Sequence, residues 1–110
     1  MKAIHQELAN GRWNQLSLIE QLGNVGSEVE RTFVWKERHD SKRAQDAFER
    51  ALELLDLTLQ CPNNKSRLKE IARTREFFVQ VYFTEDLLNT SKDVLRKYFL
   101  EFAVAARKSR

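Results

Sequence analysis

Disulfides, tight turns and membrane spans all lack their raw material in this chain of 110 residues. Cysteine occurs once, at Cys61, which excludes an internal disulfide and a multi-cysteine zinc site. A lone thiol at a helix end reads as a small buried apolar residue. One proline and three glycines leave little for the many turns of a β-sandwich. Apolar runs are only a few residues long, against the roughly 18 a membrane span needs. Nothing resembles a signal peptide, so a cytoplasmic location is expected. The two histidines, His5 and His39, are far apart in sequence. Neither belongs to the Glu-x-x-His pairs that hold di-metal centres in bundles, and no Gly-rich phosphate loop or Ser-His-Asp set is present. No cofactor, metal or catalytic group is therefore expected.

What is present is amphipathic helix. Apolar residues make up 42% and charged residues 32%, the balance of a charge-rich folded domain. A chain of this size buries roughly 65% of its unfolded surface, so one domain over residues 1–110 needs no staple. The stretch Trp13–Trp35 organises the rest. Trp13, Leu16, Ile19, Leu22, Val25, Val29 and Phe33 recur every three or four residues, one face of a helix. Gly23 and Gly26 interrupt it at about 1 kcal/mol each, a cost that points to a neighbouring helix packed close.

The spacing predicts a first helix from about Arg12 to Arg38, near 27 residues and about 40 Å long. Met1–Asn10, with Ile4 and Leu8 one turn apart, reads as a lead-in segment through Gly11. A second helix is expected over Lys42–Leu59 after a cap at Asp40 or Ser41. Its face is Ala44, Ala47, Phe48, Ala51, Leu52, Leu55 and Leu59, widened by Leu54 and Leu57 toward a second neighbour or subunit. Asp46 and Arg50 stand at supportive i,i+4 spacing. Pro62 breaks the chain. Ser66 would cap a third helix over Arg67–Phe83, with Leu68, Ile71, Ala72, Phe78, Val79, Tyr82 and Phe83 inward. Thr84–Asn89 is a connection with room for one turn at Leu87-Leu88. Thr90 to Asp93 fits a capping box for a fourth helix to about Arg107, lined by Val94, Leu95, Tyr98, Phe99, Phe102, Ala103 and Ala106. Short connections favour antiparallel neighbours, so the expected fold is all-α, an antiparallel up-and-down four-helix bundle. The aromatics at helical spacing read as core. Phe33, Val34 and Trp35 at the far end of the long first helix are expected to outrun the bundle, exposing surface that a homodimer would bury.

Two polar sets stand out. Glu20, Asn24, Ser27 and Arg31 run along one side of the first helix, and Arg73, Arg75 and Glu76 of the third could face them. This stripe reads as a pocket or partner-recognition strip, as a register-fixing polar network, or as a solvated face. The second set is basic. Net charge is +3 with pI near 9.2, and the excess sits in Lys92, Arg96, Lys97, Arg107, Lys108 and Arg110, the last three reading as a tail over 107–110. These cations would complement a helix dipole or contact nucleic acid.

Three segments, LGNVGSEVERT, FERALELLDLT and RLKEIARTREFF, resemble those of a group of small prokaryotic helical proteins without assigned activity. More distantly, the layout is similar to HEPN-type bundles, which include non-catalytic partners of nucleotidyltransferases and ribonuclease toxins. The toxins carry Arg, roughly four to six residues, then His. Here seven residues separate Arg31 from His39, and Arg38 adjoins it, so nuclease activity is not implied. The leading expectation is a non-enzymatic, self-associating four-helix module that docks a protein partner, and the resemblance points to a toxin–antitoxin or nucleotidyltransferase-associated system. The alternatives are nucleic-acid binding by the basic C-terminal helix, and a nucleotide or small-molecule pocket beside Glu20, Asn24 and Arg31.

Overall fold

The computed structural model describes residues 11–84 and 90–108. Among them every regular element is helical: four α-helices, α1 (Leu18–Glu37), α2 (Ser41–Gln60), α3 (Leu68–Phe83) and α4 (Thr90–Lys108), with 3-10 turns at Trp13–Gln15 and Pro62–Arg67. None of these helices is long and apolar enough to cross a membrane. The expected lead-in over Met1–Asn10 and the expected turn at Leu87-Leu88 lie outside the described residues.

The first helix is shorter than its apolar spacing predicts. Leu16 and Ser17 are extended, which ends the Trp13–Gln15 turn and starts α1 afresh. The Ser17 hydroxyl accepts from the Glu20 backbone N–H at 3.2 Å, and the Glu20 carboxylate accepts from the Ser17 N–H at 3.1 Å. This capping box satisfies two orphan donors and offsets the loss of a continuous helix. The break turns Trp13 inward, where its indole N–H donates to Thr58 Oγ1 at 3.0 Å. At the other end, His39 takes a left-handed conformation (φ 60°). Its N–H donates to Lys36 O and that of Asp40 to Trp35 O, the paired bonds of a Schellman stop. Asp40 then caps α2 by accepting from the Arg43 N–H at 3.0 Å.

The Pro62–Arg67 turn replaces the expected start of the third helix. Ser66 lies within this turn and does not cap; the residue at the cap position, Arg67, makes no side-chain capping bond. Thr90 is already helical, and the residue ahead of it lies outside the described ones.

Helix α1 makes its main contacts with α2 and α4, while α3 packs chiefly on α2. The core joins Leu22, Val25, Val29 and Phe33 of α1 to Phe48, Ala51, Leu54 and Leu55 of α2, Ile71 and Phe78 of α3, and Leu95 and Phe99 of α4. Phe78 meets Phe33 edge-on at 6.0 Å and Phe48 at 5.1 Å, and Phe48 stacks on Tyr82 at 3.8 Å. The far end of α1 does not outrun its neighbours, contrary to expectation. Phe33 is buried, and Trp35 is half-buried between the guanidinium groups of Arg38 and Arg43. Leu54 is buried and Leu57 half-buried, so the wide face of α2 serves two neighbours within the chain. Four residues expected inside are exposed: Ile19, Leu68, Phe83 and Val94. Asp46 pairs with Lys42 at 2.7 Å rather than with Arg50, which reaches across to Glu28 on α1.

Candidate docking groove between α1 and α4

Gly23 and Gly26 lie against α4. A Cβ at Gly26 would stand 2.8 Å from the Phe99 Cβ, closer than real side chains come. At Gly23 it would make ordinary contacts of 3.5 Å to the Ala103 Cα and 3.6 Å to the Ala106 Cβ. Below this approach the pairs continue down the seam. Arg96 donates to Glu30 and, at 2.7 Å, to Glu37, and Lys92 stands 3.5 Å from Glu37. Partial burial raises the Glu37 carboxyl, but Lys92 and Arg96 outweigh it and hold it below its ordinary 4.5. Hydrogen bonding to Glu30 likewise raises the Arg96 guanidinium against its partial burial.

Beside the glycines a groove of about 650 Å³ lies between the two helices. Gly26, Ser27 and Arg31 form its α1 wall, and Phe99, Leu100 and Ala103 its apolar floor, with Arg96, Lys97 and Arg107 along the α4 side. Leu100 is 57% exposed. Two sets that the sequence presents separately thus converge, Ser27 and Arg31 from the polar stripe with Lys97 and Arg107 from the basic one. Arg31 is tied at 2.8 Å to Glu28, and Arg96 to α1, so neither is a free cation. Among the described residues, Lys97 and Arg107 are held in no ion pair.

The rest of the polar stripe goes elsewhere. Glu20 is committed to the cap, Asn24 is exposed and donates to Glu20 O at 3.0 Å, and α3 does not face them. Arg75 instead donates to Asp56 of α2 at 2.8 Å, and Arg73 and Glu76 point to solvent. The expected facing of the stripe by Arg73, Arg75 and Glu76 is therefore wrong. Helical periodicity gives a face, and here that face is the outer one, between the directions of α2 and α4. Of the basic set, Lys92 and Arg96 are held by acids of α1. Arg107 and Lys108 are helical rather than part of a tail, and Arg110 lies outside the described residues.

Sequence reasoning missed the buried polar groups. Gln21, fully buried, donates from Nε2 to Trp13 O at 2.9 Å and toward Cys61 Sγ at 3.6 Å, and accepts from Asn64 at 2.8 Å. Asn64 also donates to Thr58 O at 2.9 Å, and the Thr58 hydroxyl donates to Leu54 O at 2.7 Å. Each polar side chain of this cluster has partners, so it fixes register rather than awaiting a ligand. Glu28 and Thr32 are the other buried polar residues: Glu28 is bridged by Arg31 and by Arg50 at 3.1 Å, and the Thr32 hydroxyl donates to Glu28 O at 2.8 Å. The one signal available was Gln21 and Glu28 recurring with Val25 and Thr32 on a face that would otherwise be core. No group of three or more His, Cys, Asp or Glu that could hold a metal ion occurs among the described residues. His39 is exposed in its turn. Comparison with known proteins finds no matching family model, no matching curated protein and no matching solved structure.

Proposed function

We propose that this chain is a non-enzymatic helical module that self-associates and docks a protein partner, and that the partner's binding segment is an acidic amphipathic helix lying in the α1–α4 groove. One observation carries the docking half: an apolar floor open to water between two cations, Lys97 and Arg107, that are held in no ion pair among the described residues. They are ten residues apart on one helix, about 15 Å at 1.5 Å per residue. A helix with an apolar stripe and carboxylates at that separation would cover Leu100 and neutralise both cations. The reading takes the four helices as an antiparallel up-and-down bundle. Its support is that partners on α4 step backward, from Ala106 and Ala103 through Phe99 and Arg96 to Lys92, as α1 advances from Gly23 to Glu37. A toxin–antitoxin or nucleotidyltransferase-associated system is where the partner should be sought.

The test is to recover the tagged chain from its own cells, identify what co-purifies, and rebuild the complex from the two purified proteins. Leu100→Asp should weaken that complex at least about tenfold, and Lys97→Glu with Arg107→Glu should remove most of its salt dependence. A partner whose affinity ignores both changes would overturn the docking site. Retention of nucleic acid with affinity falling steeply in salt would favour the nucleic-acid alternative. That alternative now has fewer cations to work with, since Lys92 and Arg96 are occupied.

A further inference from the structure

Helix α3 carries a second apolar stripe that the described residues leave partly open. Leu68, Ala72, Val79 and Phe83 follow one another at helical spacing. Leu68 and Phe83, at the two ends of the helix, are exposed, Phe83 at 73%, and Ala72 and Val79 between them are half-buried. Phe83 meets Phe48 and Tyr82 only edge-on. Midway stand Arg75 and Glu76. The Arg75 guanidinium is anchored through Nε and Nη2 to Asp56, which fixes it in place, and Glu76 is exposed.

The stripe is symmetric about the point between Arg75 and Glu76. Leu68 and Phe83 are equally far from that point along the chain, and so are Ala72 and Val79. We propose that the occupant of this face is a second copy of the chain, laid antiparallel across α3 by a two-fold axis at that point. The operation sets Leu68 of each copy against Phe83 of the other and Ala72 against Val79, so apolar groups meet on both sides of the axis. At the centre each Glu76 meets an Arg75 whose charge is already shared with Asp56, a weak polar contact rather than a repulsive one. This is the self-complementarity an isologous contact requires. The inference rests on the self-association reading above and gives it a surface and a register.

On α4 the register that pairs Leu100 with Val104, both exposed, carries a charge cost. A two-fold axis that packs Leu100 against Val104 brings Lys97 of one copy against Arg107 of the other, a like-charge contact. In these two registers, self-pairing of α3 brings no like charges together and self-pairing of α4 does. Helix α3 has 16 residues, about 24 Å of contact. That places the dimer among small interfaces, with dissociation expected near the micromolar range.

Sedimentation velocity of the full chain at about 100 µM, well above such a dissociation constant, should report twice the 13.0 kDa chain mass. Phe83→Asp should return the monomer while Leu100→Asp leaves the dimer intact. The register has its own test, independent of how Phe83→Asp folds. An equimolar mixture of Ala72→Cys and Val79→Cys chains should form an intermolecular disulfide on mild oxidation that neither chain forms alone; native Cys61 is buried. A monomer at that concentration would overturn both this inference and the self-association reading. A dimer that survives Phe83→Asp, or that gives no mixed disulfide, would overturn the α3 pairing and leave self-association standing.

Discussion

On the side of α2 and the turn that follows it, helix α1 presents Gln21 and Glu28, buried and bonded out of the helix by Asn64 and Arg50, and buried Thr32, whose hydroxyl donates to Glu28 O within α1. Toward α4 it presents two glycines and then two acids, Glu30 and Glu37, that pair with cations near water. The two seams are specified by different means. On the α2 side the constraint is directional: a hydrogen bond to a buried group is present or its absence costs the full desolvation of that group. On the α4 side the constraint is steric where the glycines sit and weakly electrostatic beyond them. It also leaves room for a groove, because close approach at one level of two helices need not be kept at the next. The hydrogen-bonded seam positions α1, and the open seam is the one the proposed partner would occupy.

The sharpest way to break the comparison is at Asn64. Asn64→Ala removes the donor to both Gln21 Oε1 and Thr58 O, two acceptors inside the protein. We expect a loss of about 3 kcal/mol by urea unfolding, within the range for buried polar groups left unsatisfied. A loss below about 1 kcal/mol would mean that water reaches the cluster and that the α2 seam is no more directional than the α4 seam. Next in size is Gly26→Ala. The new Cβ meets the Cβ and backbone of Phe99 rather than a flexible tip, so α4 must move. The expected loss is about 2 kcal/mol, typical of overpacking. A neutral Gly26→Ala would show the α4 seam to be loose throughout.

These two variants also mark what was legible in the sequence. The glycines were legible because glycine inside an amphipathic helix has a propensity cost that needs a structural reason. The four helices were legible from period and breakers. The break at Leu16-Ser17 was not, because Trp13, Leu16 and Ile19 keep the helical period across it. The opposing signal, Ser17 followed three residues later by Glu20, was present but competed with a longer pattern. The Trp13–Gln21–Thr58–Asn64 cluster was illegible for a different reason. Its members come from four separate elements, and nothing local distinguishes a buried Asn in a turn from an exposed one. The groove lies between these extremes. Ser27 and Arg31, and Lys97 and Arg107, were each visible as stripes, but periodicity assigns a face without naming the element opposite. For the same reason Arg75 was set against the wrong helix.

Gly23→Ala sharpens the comparison from the other direction, with a smaller effect. Its Cβ finds only ordinary contacts, so the helix-propensity gain of up to about 1 kcal/mol should appear as added stability. The pair of alanine variants, one turn apart on one helix, would then differ in sign. That outcome would locate the tight point of the seam at Gly26 alone.

The smallest expected effect concerns the charged lower part of the α4 seam. Glu37 has its carboxyl held below the ordinary 4.5 by Lys92 and Arg96, against the opposing effect of partial burial. A carboxylate whose pKa is lower folded than unfolded contributes stability that is fully present above the unfolded value and is lost as pH falls through the folded one. The melting temperature should therefore decline as pH drops below 4.5, and Glu37→Gln should show a shallower decline than the parent chain. Added salt should reduce the difference between them, since the pair stands near water and is screened. The Asn64→Ala deficit, arising from uncharged groups, should stay unchanged over the same salt range. If salt reduced both effects equally, the contrast between a directional seam and a screened one would lose its physical basis.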